Sequence, residues 1–254
     1  MTRVCLATTP AARVSRRVTS GNRPGVRLEG KTLIVTGGAS GLGAAIVAAT
    51  AGEGARPTIL DVQPPPPGAA AESVDLADTK EAEEAVRRIA SSAQGLDAVV
   101  TCAGIDRPGR LDEVPTDEWE RVVAVNLLGT AAVIRAALPW LRRSHGRIVT
   151  VASTLGHRAV SDASAYCASK FGVVGLTRAL TAELQGEVGV TLLTPGGMHT
   201  AFFDDRDARY RPPADAELCD PRDVAATVVL ALTQPPGCEV RELVVTCPTE
   251  TSWP

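Results

Sequence analysis

The sequence has no apolar run near the eighteen or more residues that a membrane-spanning helix requires. Its amino terminus also has no apolar core of the kind that marks a secretory signal. No membrane partner is expected, and the cytoplasm is the expected location. Strong charge is missing too: a formal net charge of −3 supplies no basic field for nucleic acid. Cys5, Cys102, Cys167, Cys219, Cys238 and Cys247 are scattered, with no CxxC pair and no histidine at metal-ligand spacing. Neither a metal centre nor a disulfide framework is expected, and the thiols read as free, mostly core filler. Lysine is scarce, with Lys31, Lys80 and Lys170 the only three among 26 basic residues. With abundant alanine, that suggests coding from a GC-rich genome. Residues 1–28 hold six arginines and no acid. They read as a disordered tail, a transit peptide and a start site placed too far upstream being the other readings.

What is present is an ordinary globular balance, 44% hydrophobic and 22% charged over 254 residues. That suits one large domain over residues 29–254. Short apolar runs at 32–36, 57–61, 98–102, 147–151, 190–194 and 242–246 predict buried strands, with a weaker one near 73–75. Helical patterns lie between them at about 42–53, 79–93, 117–142, 163–186 and 221–233. This alternation predicts an α/β fold with a single doubly wound parallel sheet, the Rossmann arrangement, with helices on both faces. Pro64 to Pro67 form a stiff connector after the second strand.

The first strand runs into Thr36-Gly37-Gly38-Ala39-Ser40-Gly41-Leu42-Gly43 and then an alanine-rich helix. Glycines let backbone approach a pyrophosphate, and a helix amino terminus offers N–H groups and positive dipole to the anion. Gly-rich turns also serve merely where positive φ is needed, but a strand before and a helix after favour a dinucleotide. Asp61 ends the second strand, where a carboxylate can accept from adenosine ribose hydroxyls and repel a 2′-phosphate. Ser40 and Val62, where a phosphate-binding arginine would be sought, are not basic. NAD is therefore expected over NADP.

Tyr166 and Lys170, at i and i+4, share one helix face, and a nearby ammonium is expected to lower the phenol towards the range of a general base. Ser153 follows the apolar run 148–152, at the carboxyl end of a strand, where it can hydrogen-bond a substrate oxygen. A Tyr and a Lys one turn apart are commonly just a surface pair. Here they follow the glycine turn, Asp61, Asn126 and Ser153, and precede Pro195-Gly196, in one order on one alternating pattern.

In that order and spacing, with its TGxxxGxG turn and YxxxK pair, the chain resembles the short-chain dehydrogenase/reductase family over about residues 28–247. The resemblance implies catalysis by Asn126, Ser153, Tyr166 and Lys170. It implies a cofactor site of Gly37, Ser40, Gly41, Leu42 and Gly43 at the pyrophosphate and Asp61 at the adenosine ribose. Asp75 and Leu76 would lie at the adenine and Ala103 and Gly104 beside the cofactor. Tyr166 and Lys170 would flank the nicotinamide ribose, and Pro195, Gly196 and Thr200 the nicotinamide. Asn126 would bend a helix to hold a water near Lys170. One departure is clear: the family's usual Asn-Ala-Gly reads Cys102-Ala103-Gly104, which puts local rigidity in question more than chemistry.

The implied activity is hydride transfer between NAD(H) and a secondary alcohol or ketone. A sugar, polyol or secondary-metabolite intermediate is the suggested substrate, because the segment 201–210 is short and charged and because Arg107, His157 and Arg158 can face the pocket. Solvated loop charges and a packing role for His157 are the plainer readings of those residues. A 3-oxoacyl-(carrier protein) reductase and a catalytically silent NAD-binding regulator are the rival readings. A small-molecule partner and a homo-oligomer, dimer or tetramer, are expected, the latter through the apolar-striped helices near 117–142 and 163–186.

Overall fold

The computed structural model describes residues 27–253. The tail expected at 1–28 lies outside the described residues except for its last two. Of these, Leu28 is buried in the core and Arg27 pairs with Glu53 at 3.0 Å.

Seven strands form one all-parallel sheet: β1 (Thr32–Thr36), β2 (Arg56–Asp61), β3 (Ala70–Ser73), β4 (Ala98–Thr101), β5 (Arg147–Val151), β6 (Gly189–Pro195) and β7 (Glu242–Val245). Their order is β3-β2-β1-β4-β5-β6-β7. Leu33 and Val35 of β1 face one way and Ile34 the other, and each side is sealed by its own apolar cluster. Helices α1 (Gly41–Gly52) and α6 (Pro221–Leu232) cover the first side, while α2 (Thr79–Ser92) and α4 (Thr130–Ser144) cover the second. Both faces being buried is what makes the inner strands read as continuous apolar runs. The expected doubly wound architecture is therefore the observed one.

The predicted strand near 73–75 is displaced, since the ladder pairs Ala70–Ser73 with Thr58–Asp61. β3 is a largely exposed edge strand, so no hydrophobic pattern marks it, and Val74 is buried just beyond it. The helix expected over 117–142 is helical from Thr116 to Ser144 but changes pitch midway. α3 (Thr116–Val123) passes into a π-helical turn, Ala124–Gly129, before α4. Contrary to the expectation that no run is long and apolar enough to cross a membrane, this 29-residue stretch is so by length and hydropathy, yet 56% of its most apolar window is buried against the fold. The thiols are free at all five described positions, and three of them are core filler: Cys167 is buried, and Cys102 and Cys219 pack partly buried against the core. Cys238 and Cys247, in the loops on either side of β7, lie outside it.

Chain direction in the sheet reverses between β1 and β4: from β1 the chain builds outward to β2 and β3, then returns to β4 and builds the other way. The loops leaving β1 and β4 therefore part and open a crevice at the carboxyl ends of the strands.

Candidate active site

The crevice is a cleft of about 1710 Å³, larger than the few hundred to about 1,000 Å³ usual for a single small ligand. At its centre is the glycine turn. Gly37 has φ +68°, and a Cβ there would lie 2.7 Å from the Ala103 Cα. A Cβ on Gly43 would lie 1.9 Å from the Gly37 carbonyl oxygen, so the first turn of α1 rests directly on the loop. A Cβ on Gly41, at φ +51°, would meet the Thr200 side chain at 3.4 Å. Ser40 caps α1 in an extended conformation without a side-chain bond, and no acid occupies the helix's first turn. That amino terminus thus keeps its positive end for an outside anion, as a pyrophosphate requires.

Asp61 lies beside this turn. Its Oδ2 accepts from the Ala39 N–H at 3.0 Å and its Oδ1 from the Gln63 N–H at 2.9 Å. Each oxygen retains acceptor capacity for a further donor. Asp75 and Leu76 line the same end of the cleft. Leu76 is buried, its backbone so close to Gly129 that a Cβ on that glycine would meet the Leu76 carbonyl oxygen at 2.6 Å. Arg121, which sequence reading missed, lines this end too and pairs with Asp75 at 3.0 Å. The glycine cradle, the free helix end and the carboxylate together fit a dinucleotide.

The segment after β4 is tied to β1 by a side chain whose role also went unread. Thr36 Oγ1 accepts from the N–H groups of both Cys102 and Ala103 at 3.1 Å. This tie does not pass through the side chain at position 102, so a cysteine there leaves the strands joined. Burial pushes the Cys102 thiol up to about 12, leaving it a protonated lining group rather than a nucleophile.

Ser153, Tyr166 and Lys170 converge at the other end. Ser153 leaves β5 and caps a short 3₁₀ turn, Thr154–Gly156, where its Oγ accepts from the Leu155 N–H at 3.2 Å. Tyr166 and Lys170 stand one turn apart near the start of α5 (Ser164–Glu183). Lys170 is buried and donates from Nζ to the Val151 carbonyl at 2.9 Å. Asn126 sits in the π-helical turn. Its Oδ1 accepts from the Ile105 N–H at 2.8 Å, and its Nδ2 donates to the Ile105 carbonyl at 2.9 Å and to Ser169 Oγ at 3.0 Å. Ser169 in turn donates to the Tyr166 carbonyl at 2.8 Å, so this network also fixes the tyrosine's backbone. A Cβ on Gly104 would stand 3.5 Å from both Asn126 Oδ1 and Lys170 Nζ, so glycine keeps the space between them open.

The electrostatics differ from the expectation in one respect. Burial pushes the Tyr166 phenol above its ordinary value instead of Lys170 lowering it. The Ser153 hydroxyl and, more weakly, Arg206 favour the phenolate, while Asp106 opposes it. Lys170 is itself lowered to about 8 by burial. The same apolar surroundings thus disfavour charge on both groups.

Pro195, the last residue of β6, and Gly196 and Thr200 beyond it line the cleft, and Thr200 caps a 3₁₀ turn, Ala201–Phe203. The charged segment 201–210 does form part of the wall. Arg107 lines the cleft as well, paired with Glu118 at 3.5 Å, but His157 and Arg158 do not line it. His157 bonds Thr194 Oγ1 at 3.1 Å and packs edge-on against Trp253, while Arg158 donates to the Thr251 carbonyl at 2.7 Å. Their expected place in the pocket is corrected, because the carboxyl-terminal segment 247–253 folds back and takes both side chains. Sequence reading also missed Glu250 in that segment, whose Oε2 accepts from the Gly197 N–H at 3.0 Å.

A doubly wound sheet with a glycine turn, a serine and a Tyr–Lys pair in one cleft defines a nicotinamide-dependent oxidoreductase. The short chain dehydrogenase family model matches residues 31–211, and the chain belongs to that family. An uncharacterized oxidoreductase of Staphylococcus aureus strain MW2 is 32% identical over 230 residues, 86% of this chain and 97% of that protein. Glycine betaine reductase of Emericella nidulans is 32% identical over 237 residues. Those are 86% of this chain, which spans only 19% of that protein's length. Two solved structures share the fold, each with a TM-score of 0.76. Ligand-free aldohexose dehydrogenase of Thermoplasma acidophilum is 22% identical, with 88% of this chain and 98% of that chain covered. An alcohol dehydrogenase of Thermococcus sibiricus, complexed with 5-hydroxy-NADP, is 24% identical, with 85% and 96% covered.

Proposed function

We propose that this protein transfers a hydride between NAD(H) and a secondary alcohol or ketone, with Tyr166 as the acid/base. The observation that carries this reading is the placing of Ser153, Tyr166 and Lys170 in one cleft with the glycine turn and Asp61. The glycine turn, Asp61 and Lys170 would hold a nicotinamide dinucleotide, which would supply the hydride acceptor for an alcohol or the donor for a ketone. Tyr166 takes the hydroxyl proton during oxidation and returns it during reduction, and Ser153 holds the substrate oxygen. Burial keeps the Tyr166 phenol protonated, the state that donates to a ketone, so oxidation gains as rising pH supplies phenolate. Lys170, at about 8, changes protonation near neutrality and so suits a proton relay behind the tyrosine.

Asp61 supports NAD over NADP, because a carboxylate beside the glycine turn repels a 2′-phosphate and the exposed neighbour Val62 offers it no cation. The 5-hydroxy-NADP complex of the Thermococcus protein concerns a relative that shares the fold, and Asp61 is the feature of this chain that argues the other way. A homo-oligomer is part of the proposal, supported by Leu128 and Phe171, large apolar side chains left exposed on the long helices. Light scattering showing only monomer at micromolar concentration would count against it. The activity is tested by screening secondary alcohols with NAD and ketones with NADH at the NADH absorbance band. No turnover beyond that of Tyr166→Phe with any substrate overturns the reading.

A further inference from the structure

One ion pair at the substrate end of the cleft has no part in the hydride-transfer reading. Arg206 Nη2 lies 2.9 Å from Asp106 Oδ2, with the side chains only 16% and 5% exposed. It is the most buried ion pair among the described residues; the others all lie nearer the surface. Asp106 follows β4 and Arg206 follows β6, so the pair joins two segments of the cleft wall, which both residues line. The guanidinium is wedged between aromatic rings, its Cζ 4.7 Å from the Phe202 centroid and 4.6 Å from that of Phe203. Phe202 in turn packs on Tyr166, ring centroids 5.8 Å apart. The guanidinium is thus one aromatic ring away from the acid/base, with Asp106 paired to it.

Burying two charges is costly unless their remaining hydrogen-bonding capacity is met. Asp106 Oδ1 accepts from the Arg107 N–H at 2.8 Å. Arg206 is less well served: its Nε is buried and has no hydrogen-bond partner among the described residues. A pair serving only to hold the fold would do better exposed, or fully bonded.

We propose that Asp106 and Arg206 together read a hydroxyl group neighbouring the reacting carbon, so that the preferred substrates are vicinal diols and the matching α-hydroxy ketones. This deepens the hydride-transfer reading above and rests on it. The pair is neutral overall, which selects a neutral partner. A carboxylate would face Asp106 and an ammonium would face Arg206, each a like charge in a buried site. A hydroxyl serves both, donating to the carboxylate and accepting from the guanidinium. A hydrocarbon in its place would leave both charges against an apolar surface with nothing gained.

The test compares 2,3-butanediol with 2-butanol as substrates for the full chain with NAD, and acetoin with 2-butanone in the reverse direction with NADH. The wild type is expected to favour the hydroxylated member by on the order of 10- to 100-fold in kcat/KM, the range of a hydrogen bond to a charged group. Arg206→Met and Asp106→Asn should each lower that ratio, Arg206→Met the more because no donor remains at that position. Melting temperature and NAD binding report whether each variant is folded, and Arg206→Lys, which keeps the charge, should retain part of the preference. Equal turnover of the paired substrates by the wild type overturns this proposal alone, as does an undiminished ratio in both folded variants. No turnover of any of the four substrates, or of any alcohol or ketone in the wider screen, overturns the hydride-transfer reading and this one with it.

Discussion

Asn126 holds Ile105 by both of its backbone polar groups, accepting from the N–H at 2.8 Å and donating to the carbonyl at 2.9 Å. The side chain is buried, and it ties the π-helical turn to the segment after β4. Asn126→Leu preserves bulk and removes both bonds. Each orphaned group costs about 1–3 kcal/mol. A melting temperature several degrees lower and slower turnover are expected, measured by calorimetry and by NADH formation; an unchanged melting temperature would show that the bonds are dispensable.

Tyr166→Phe keeps the ring that packs on Phe202 and removes only the ionisable oxygen. Turnover should drop at least about 10²–10⁴-fold, the usual contribution of general acid/base catalysis, while NAD affinity survives. Alcohol oxidation by the wild type should rise with pH, and the residual activity of the variant should lack that rise. Ser153→Ala should cut turnover with little change in cofactor binding.

Lys170 gives a stability signature that does not depend on activity. Burial lowers it to about 8 from an ordinary 10.5, so between those pH values the unfolded chain binds more protons than the folded one. Stability contributed by this group therefore rises with pH across that window, its penalty being fully present below about 8 and relieved as pH approaches 10.5. Thermal melts of Lys170→Met and wild type should converge in that direction, the variant being flatter. A parallel pH dependence in the two would mean that Lys170 keeps its charge in the fold.

Asp61→Ala should erode the preference for NAD, as measured by fluorescence titration with both cofactors. The backbone N–H groups of Ala39 and Gln63 lose their acceptor in this variant, so some loss of NAD affinity is expected alongside gained NADP binding. Equal or tighter NADP binding by the wild type would refute the assignment.

Gly43→Ala places a methyl group against the Gly37 carbonyl, which is backbone and cannot turn aside. Dinucleotide affinity should fall at least about tenfold, as expected where the phosphate turn must open. Gly175→Ala, in α5, meets nothing within 4 Å and should be neutral or stabilise by about 0.4–1 kcal/mol.

The sequence by itself determined the sheet, the strand–turn–helix at Gly37–Gly43 and the serine and Tyr–Lys pair at a strand's carboxyl end. Each is a local matter: buried parallel strands must be apolar throughout, a phosphate turn must be glycine-rich, and an i, i+4 spacing fixes a shared helix face. What escaped it depended on residues far apart in the chain. β3 went astray because an edge strand carries no apolar imperative, and His157 and Arg158 were claimed by Trp253 and Thr251, nearly a hundred residues on. The direction of the Tyr166 shift came from burial by surrounding elements, which spacing to Lys170 does not report. The Asp106–Arg206 pair joins residues one hundred positions apart that only the parallel course of β4, β5 and β6 brings together. Periodicity and motif encode contacts within one element. Burial and long-range pairing are set by which elements the completed sheet makes neighbours, and these decided the electrostatics around the acid/base.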